Sequence, residues 1–321
     1  MEKQIVYLFN DMELAKNVLG SVNGNLMVIE EELDVELIAS SEDVKIKTND
    51  SDKADFVANV FNVIETLAKT KVTVRERDVL GIIKMLKKYE LEEVRDFYAK
   101  RKVVATTFDG RIVLVKSISQ KRYYDALEKS AITFAYGAAG TGKTYLAVAY
   151  AAMLLKKNKI KKLIITRPVV EAGEKLGFLP GDLKEKVDPY LIPIYDALYD
   201  ILGHDMVDKF ILKGNIEIAP LAYMRGRTLD NAFIILDEAQ NTTSSQMKMF
   251  LTRLGFNSQM VITGDLTQID LAKASDSGLA EAVKLFGNIK GISLISFDKN
   301  DVMRHPLVSK IINQYEKNKR E

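Results

Sequence analysis

Eight residues constrain this chain more than any others. Residues 137–144 read Gly137-Ala138-Ala139-Gly140-Thr141-Gly142-Lys143-Thr144, a complete GxxxxGK[ST] pattern. Backbone N–H groups can surround a polyphosphate only where side chains keep clear, and Gly137, Gly140 and Gly142 permit that approach and its unusual dihedrals. Ala138, Ala139 and Thr141 supply the remaining N–H groups of the cradle. Lys143 reaches the β- and γ-phosphates, and the Thr144 hydroxyl is a Mg²⁺ ligand. An apolar run at 132–136 leads in as a strand, and 145–155 leads out as a helix with its positive end toward the phosphates. A bare glycine turn before a helix would not require all these parts together.

A second motif supplies chemistry for that loop. Residues 233–240 read Phe-Ile-Ile-Leu-Asp-Glu-Ala-Gln. Four apolar residues make a buried strand, and two acids follow at its carboxyl end, where open α/β sheets bind ligands. Asp237 is placed to hold Mg²⁺, and Glu238 to polarise the attacking water. A third motif, Thr263-Gly264-Asp265-Leu266-Thr267-Gln268, brings Gln268 to the pocket edge, where an amide senses the γ-phosphate without adding charge. Taken alone, that motif is equally a turn.

Composition excludes much else. The chain has 321 residues and no cysteine, so disulfides, thiolate metal sites and cysteine nucleophiles are out. Two histidines, His204 and His305, cannot build a histidine-rich metal centre. No apolar run approaches a membrane span, and the start lacks a secretory signal, so the expectation is a soluble cytoplasmic protein without a membrane partner. The net charge of +2 hides an asymmetry: residues 1–68 carry 5 Lys and 14 Asp+Glu, or −9, which leaves +11 on 69–321. A split of that size suggests two units with different partners, the larger one facing a polyanion.

Periodicity gives the organisation. Residues 4–9 read as a strand and 12–19 as a helix. An asparagine at cap position starts a helix over 25–33. Strands at 35–39 and 44–47 flank a polar turn, and 52–67 is amphipathic with Ala54, Val57, Val60, Phe61, Ile64 and Leu67 on one face. The expected domains are a small α+β unit with an αββα, KH-like core (1–72), a charged helical bridge (73–102) and a phosphate-loop domain (103–321). The last opens with a hairpin turning at Asp109-Gly110. Strands at 132–136, 163–166, 216–219, 233–236, 260–263 and 293–296 alternate with helices, so the sheet is mainly parallel.

In this order, the phosphate loop, Asp-Glu-Ala-Gln and Gly-Asp-x-x-Gln resemble the first motor domain of superfamily 1 helicases, a RecA-like P-loop NTPase fold. Thr166-Arg-Pro168, the run from Glu171 to Asp182, Asp188-Pro-Tyr190, Met224-Arg-Gly-Arg-Thr228, Asp237-Glu-Ala-Gln-Asn241 and Asp301-Val-Met-Arg-His-Pro-Leu307 narrow the resemblance to the PhoH family of ATPases, over about 103–316. The resemblance implies a cytoplasmic ATPase using ATP and Mg²⁺ and linked to RNA metabolism. It also implies a homo-oligomer, commonly a hexameric ring, whose suggested partners are RNA, the ribosome and a small metal-dependent endoribonuclease.

The resemblance further assigns individual residues. Gln120 lies where superfamily 1 proteins place a glutamine that pairs with adenine; a helix-capping role is the alternative. Tyr123 and Tyr124 either cover the purine or belong to the core. No Asn-Lys-x-Asp guanine signature occurs. Arg167, Lys175, Lys184 and Lys186 lie in or beside a long loop at 171–189, which in superfamily 1 motors contacts single-stranded nucleic acid. The chain holds one motor domain, so a cation for the γ-phosphate is expected from a neighbouring copy. Arg304 is favoured over Arg225, Arg227 and Arg253; its alternative is a surface pair with Asp301. Two functions remain: an ATP-driven RNA remodeller, or an ATP-dependent switch that binds a protein partner. The −9 charge and the lack of a Gly-x-x-Gly clamp argue that the first unit binds protein, or RNA only weakly.

Overall fold

The computed structural model describes residues 3–9, 11–168 and 183–302, with 308, 311 and 314 beyond them. The chain divides into two compact units, residues 1–102 with 116–118, and residues 103–115 with 119–321. Among the described residues, no helix is long and apolar enough to cross a membrane.

The first unit runs β1 (Lys3–Leu8), α1 (Met12–Leu19), α2 (Gly24–Leu33), β2 (Leu37–Ala39), β3 (Asp43–Lys47), α3 (Ser51–Lys69), α4 (Glu76–Leu86) and α5 (Leu91–Ala99). Its antiparallel sheet has the order β1-β3-β2. Helix α3 starts where Asp50 accepts hydrogen bonds from the Asp52 and Lys53 amides. All six residues of its expected apolar face are buried, and Phe61 stacks on Tyr7 at 5.3 Å. Asn25 is not a cap. It is buried in the first turn of α2, where its amide donates to the Val18 and Val74 carbonyls and ties the corner between the helices to the segment before α4. Helices α4 and α5 pack on α2 and α3.

The second unit opens with the hairpin β4 (Val103–Thr106) and β5 (Ile112–Leu114), turning through Gly110 at φ 87°. There follow α6 (Ile118–Lys129), β6 (Ile132–Gly137), α7 (Lys143–Lys156), β7 (Lys162–Arg167), α8 (Leu183–Leu202), α9 (His204–Leu212), β8 (Ile216–Pro220), β9 (Ala232–Leu236), α10 (Ser244–Leu251), β10 (Gln259–Gly264), α11 (Gly278–Leu285) and β11 (Ile292–Phe297). Helix α8 claims residues 183–189, which read as loop in the sequence. Lys175 and Arg304 lie outside the described residues, as do the side chains of Lys184 and Lys186.

Six strands form one sheet in the order β11-β6-β10-β9-β7-β8, and every pairing is parallel. All six were expected from the sequence. The central strand β9 is buried at each of its five residues, as befits a parallel strand covered on both faces. Helix α7 is apolar on nearly every side, with Leu146, Ala147, Val148, Ala149, Ala151, Ala152 and Leu155 buried. The chain leaves β6 for β7 across two positions that β9 and β10 fill later. This crossing puts a switch in strand order beside β6, the place where α/β sheets bind ligands. Because all strands run the same way, Gly137, Arg167, Leu236 and Gly264 end at one edge of the sheet.

Gly137 also sits where β6 and β11 approach most closely. Its φ is 123°, and a Cβ there would lie 1.9 Å from the Phe297 carbonyl oxygen. Gly137→Ala is therefore expected to cost at least the ~1–3 kcal/mol of a forbidden backbone conformation. Denaturant unfolding checks this: the midpoint drops if β11 is held as described and stays put if it is not.

Candidate functional site

The phosphate loop joins β6 to α7. Gly137, Gly140 and Gly142 all have positive φ, at 123°, 80° and 81°, so an L side chain is disfavoured at each of the three positions. Ala138 and Ala139 are half-buried and Gly140 is exposed. Lys143 is the first residue of α7, and its ammonium donates to the Gly137 and Ala138 carbonyls, both at 2.8 Å. Thr141 closes the loop by donating to the Ala138 carbonyl at 3.0 Å.

Behind the loop, Gln120 on α6 is buried and donates its amide to the Thr141 carbonyl at 2.9 Å. It thus braces the phosphate loop from its protein side. Tyr123 is fully buried, packs edge-on against Phe297 and donates to the Lys143 carbonyl at 3.3 Å. That position places Tyr123 in the core and not over a purine. Tyr124 meets Tyr150 edge-on at 5.5 Å.

Asp237 follows β9 and is buried. Its Oδ1 accepts two hydroxyls at 2.7 Å each, Thr144 from α7 and Thr263 from β10. Its own amide donates to the Thr166 carbonyl on β7. Three elements therefore fix one carboxylate oxygen. Thr263 was not singled out in the sequence, and nothing short of the β9–β10 register, which sets Ile262 beside Leu236, would reveal it.

Glu238 adopts the left-handed conformation, φ 52° and ψ 38°. A glutamate held there stores roughly 1–3 kcal/mol of strain, and such residues cluster at functional sites. One carboxylate oxygen accepts the Gln240 amide at 2.6 Å, and the other lies 3.8 Å from the Arg167 guanidinium at the end of β7. Gln240 is the second residue missed, although it is part of the Asp-Glu-Ala-Gln motif. It is buried, and its carbonyl oxygen accepts the Asp265 amide at 3.0 Å, which links the loops after β9 and β10.

Asp265 accepts from Thr267 at 2.7 Å and from Gln268 at 2.6 Å. Burial disfavours its charge, but these bonds and the Lys143 ammonium outweigh it and hold the carboxyl below its usual range. Gln268 is exposed and spends its amide on Asp265 within the same turn. Of the arginines weighed as γ-phosphate cations, Arg227 makes a two-pronged pair with Glu217, and Arg253 donates to the Arg227 and Met249 carbonyls. Both are occupied in their own subunit, whereas Arg225 is exposed on the turn after β8.

The residues present fit a magnesium nucleotide. One carboxylate and one hydroxyl, Asp237 and Thr144, are a donor set for a cation that takes its other ligands from phosphate and water. Among the described residues, no group of three or more His, Cys, Asp or Glu could hold a metal alone. The Lys143 ammonium, now resting on two carbonyls of its own loop, has its donors aimed where phosphates would enter.

A parallel sheet with helices, a phosphate loop after one strand and an acid pair after another define a RecA-like P-loop NTPase. The family described as PhoH-like protein matches residues 112–316. A PhoH-like protein of Bacillus subtilis is 50% identical over 303 residues, covering 94% of each chain. One from Synechocystis is 43% identical over 95% of this chain and 92% of its own. Protein PhoH of Escherichia coli is 45% identical over 64% of this chain and 59% of its own. Among solved structures, a Sulfolobus solfataricus SWI2/SNF2 ATPase core in complex with dsDNA aligns at TM-score 0.34 and 16% identity, over 59% of this chain and 47% of that one. The chain belongs to the PhoH family.

Burial lowers the pKa of Lys143 against the opposing pull of Asp265, Asp237 and Glu238. An arriving phosphate favours the ammonium and raises it again. Nucleotide binding at alkaline pH should therefore take up a proton, and affinity should fall with rising pH sooner than an ordinary lysine near pH ~10 would dictate. Calorimetry in buffers of different ionisation enthalpy checks this; binding without proton uptake, at an affinity flat with pH, contradicts it.

Proposed function

We propose that this protein binds ATP with Mg²⁺, hydrolyses it, and couples the hydrolysis to work on RNA. The observation that carries the reading is the convergence on Asp237: one carboxylate oxygen bonded to the phosphate-loop hydroxyl of Thr144 and to Thr263, with Lys143 and Glu238 at the same sheet edge. Lys143 and the loop amides bind the phosphates. Thr144 and Asp237 hold the cation, which supplies charge neutralisation on the transferring phosphoryl group. Glu238 orients the attacking water and accepts its proton. Adenine is favoured over guanine because the chain lacks the Asn-Lys-x-Asp signature. Coupling to RNA is supported by the +11 carried by residues 69–321. A cytoplasmic location and the ribosome or endoribonuclease partners rest on the family resemblance alone.

Two substitutions separate binding from chemistry. Lys143→Ala should lower ATP affinity or turnover by roughly tenfold or more, about 1.4 kcal/mol. Glu238→Gln keeps size and hydrogen bonding but loses the base, so ATP should bind normally while hydrolysis stalls. An equal loss of binding in Glu238→Gln would make Glu238 a metal or structural residue. Turnover that single-stranded RNA leaves unchanged would favour the protein-partner switch, a role the −9 first unit suits.

Assembly belongs to the same reading. Arg227 and Arg253 are engaged within their own subunit, so a γ-phosphate cation is assigned to Arg304 of a neighbouring copy. A head-to-tail interface of this kind closes into a ring, taken as a hexamer from the family. Lys143→Ala and Arg304→Ala should each be inactive alone, and mixed rings should recover activity. Mixed rings that stay inactive would put Arg304 in its own subunit's site or outside the chemistry.

A further inference from the structure

Strands β7 and β9 are paired in parallel, with Thr166 beside Leu236. The residues just past that pair are Arg167 on one strand and Asp237-Glu238 on the other. In the structure the Arg167 Nη2 lies 3.8 Å from one Glu238 oxygen while Gln240 occupies the second at 2.6 Å. Both oxygens of the proposed base are thus engaged by protein. A general base must offer an oxygen within hydrogen-bond reach of the water it activates, and here neither is unclaimed. The two holds differ in kind. Gln240 is buried and bonded on its other side to the Asp265 amide, so it is fixed. Arg167 is 24% exposed and Glu238 37%, so their contact is long, open to solvent and weak.

We propose that Arg167 is a restraint on Glu238 that a phosphate-bearing single strand releases, so that nucleic acid raises ATP turnover by drawing one guanidinium away. This rests on the reading of Glu238 as the base. A guanidinium offers two parallel donors to a phosphate, which match it better than a single carboxylate oxygen at 3.8 Å does. The competitor therefore needs only modest affinity at this point. The strand is assigned as RNA because its backbone repeats the phosphate, and because the segment 69–321 carries an excess of 11 positive charges to hold a polyanion nearby. In this scheme Arg167 is a positioning residue: it acts through Glu238 and not on the nucleotide.

The experiment is steady-state ATP hydrolysis by the full chain and by Arg167→Ala, each with and without a uridine 20-mer. An arm with inorganic phosphate at equal phosphate concentration is run beside them. The wild type should be stimulated several-fold by the oligonucleotide and not by inorganic phosphate. Arg167→Ala should show a basal kcat raised several-fold, an unchanged Kd for ATP, and no further response to the oligonucleotide. A purely structural role would not raise kcat while leaving ATP affinity alone. Arg167→Gln, which keeps length and planarity without charge, should behave alike and covers the case in which the alanine variant does not fold. A basal kcat that is unchanged or lower in the variants overturns the restraint. Stimulation by inorganic phosphate, or a wild type indifferent to the oligonucleotide, overturns the release by a strand. Failure of the parent reading looks different: Glu238→Gln would then still hydrolyse ATP.

Discussion

The parallel pairing of β6, β10 and β9 is the constraint on which the rest of the ATPase unit depends. Parallel strands end at the same edge, so three segments remote in sequence deliver their next residues to one place. Register decides what meets. Gly264 stands beside Tyr136, and Ile262 beside Leu236. Those offsets bring Asp237 under the Thr144 hydroxyl and next to Thr263. A slip of one residue would turn every side chain of β9 to the opposite face and dismantle the clamp.

Around that clamp the site uses fixed contacts where charge must be held and loose ones where it must move. Asp237 is buried and bonded from two other elements. The phosphate loop is braced from behind by Gln120 and Tyr123. Glu238 sits differently, in a strained backbone conformation, half out of the protein, with a firm partner in Gln240 and a long contact to Arg167. The residue that must present an oxygen to water is also the one whose side chain is least confined. Strain of this kind persists only where neighbours over-determine it, and the link from Gln240 to the Asp265 amide is one such neighbour.

The first unit is built on another principle. Its sheet is antiparallel and small, and α3 supplies most of the apolar surface beneath it. Asn25 shows how polar groups hold such a unit together. Buried where a cap was expected, it satisfies carbonyls from two segments that no apolar contact would fix.

Much of this was legible in the chain itself, because short-range chemistry sets it. Glycines with positive φ have no substitute in the phosphate loop, and five apolar residues in a row can only be a strand buried on both faces. The six strands, the hairpin at Gly110 and the acid pair after β9 follow from such local rules. What only the tertiary structure decided concerns partners across the sheet. Tyr123 became core and not a purine cover because α6 lies against β11 and the start of α7. Thr263 and Gln240 joined the site because strand order, which crosses two positions between β6 and β7, set them beside Asp237 and Glu238. Arg167 met Glu238 for the same reason. No local pattern encodes which strands become neighbours. That choice is made by packing helices on both faces of one sheet, and residues about 70 apart along the chain are brought into contact by it.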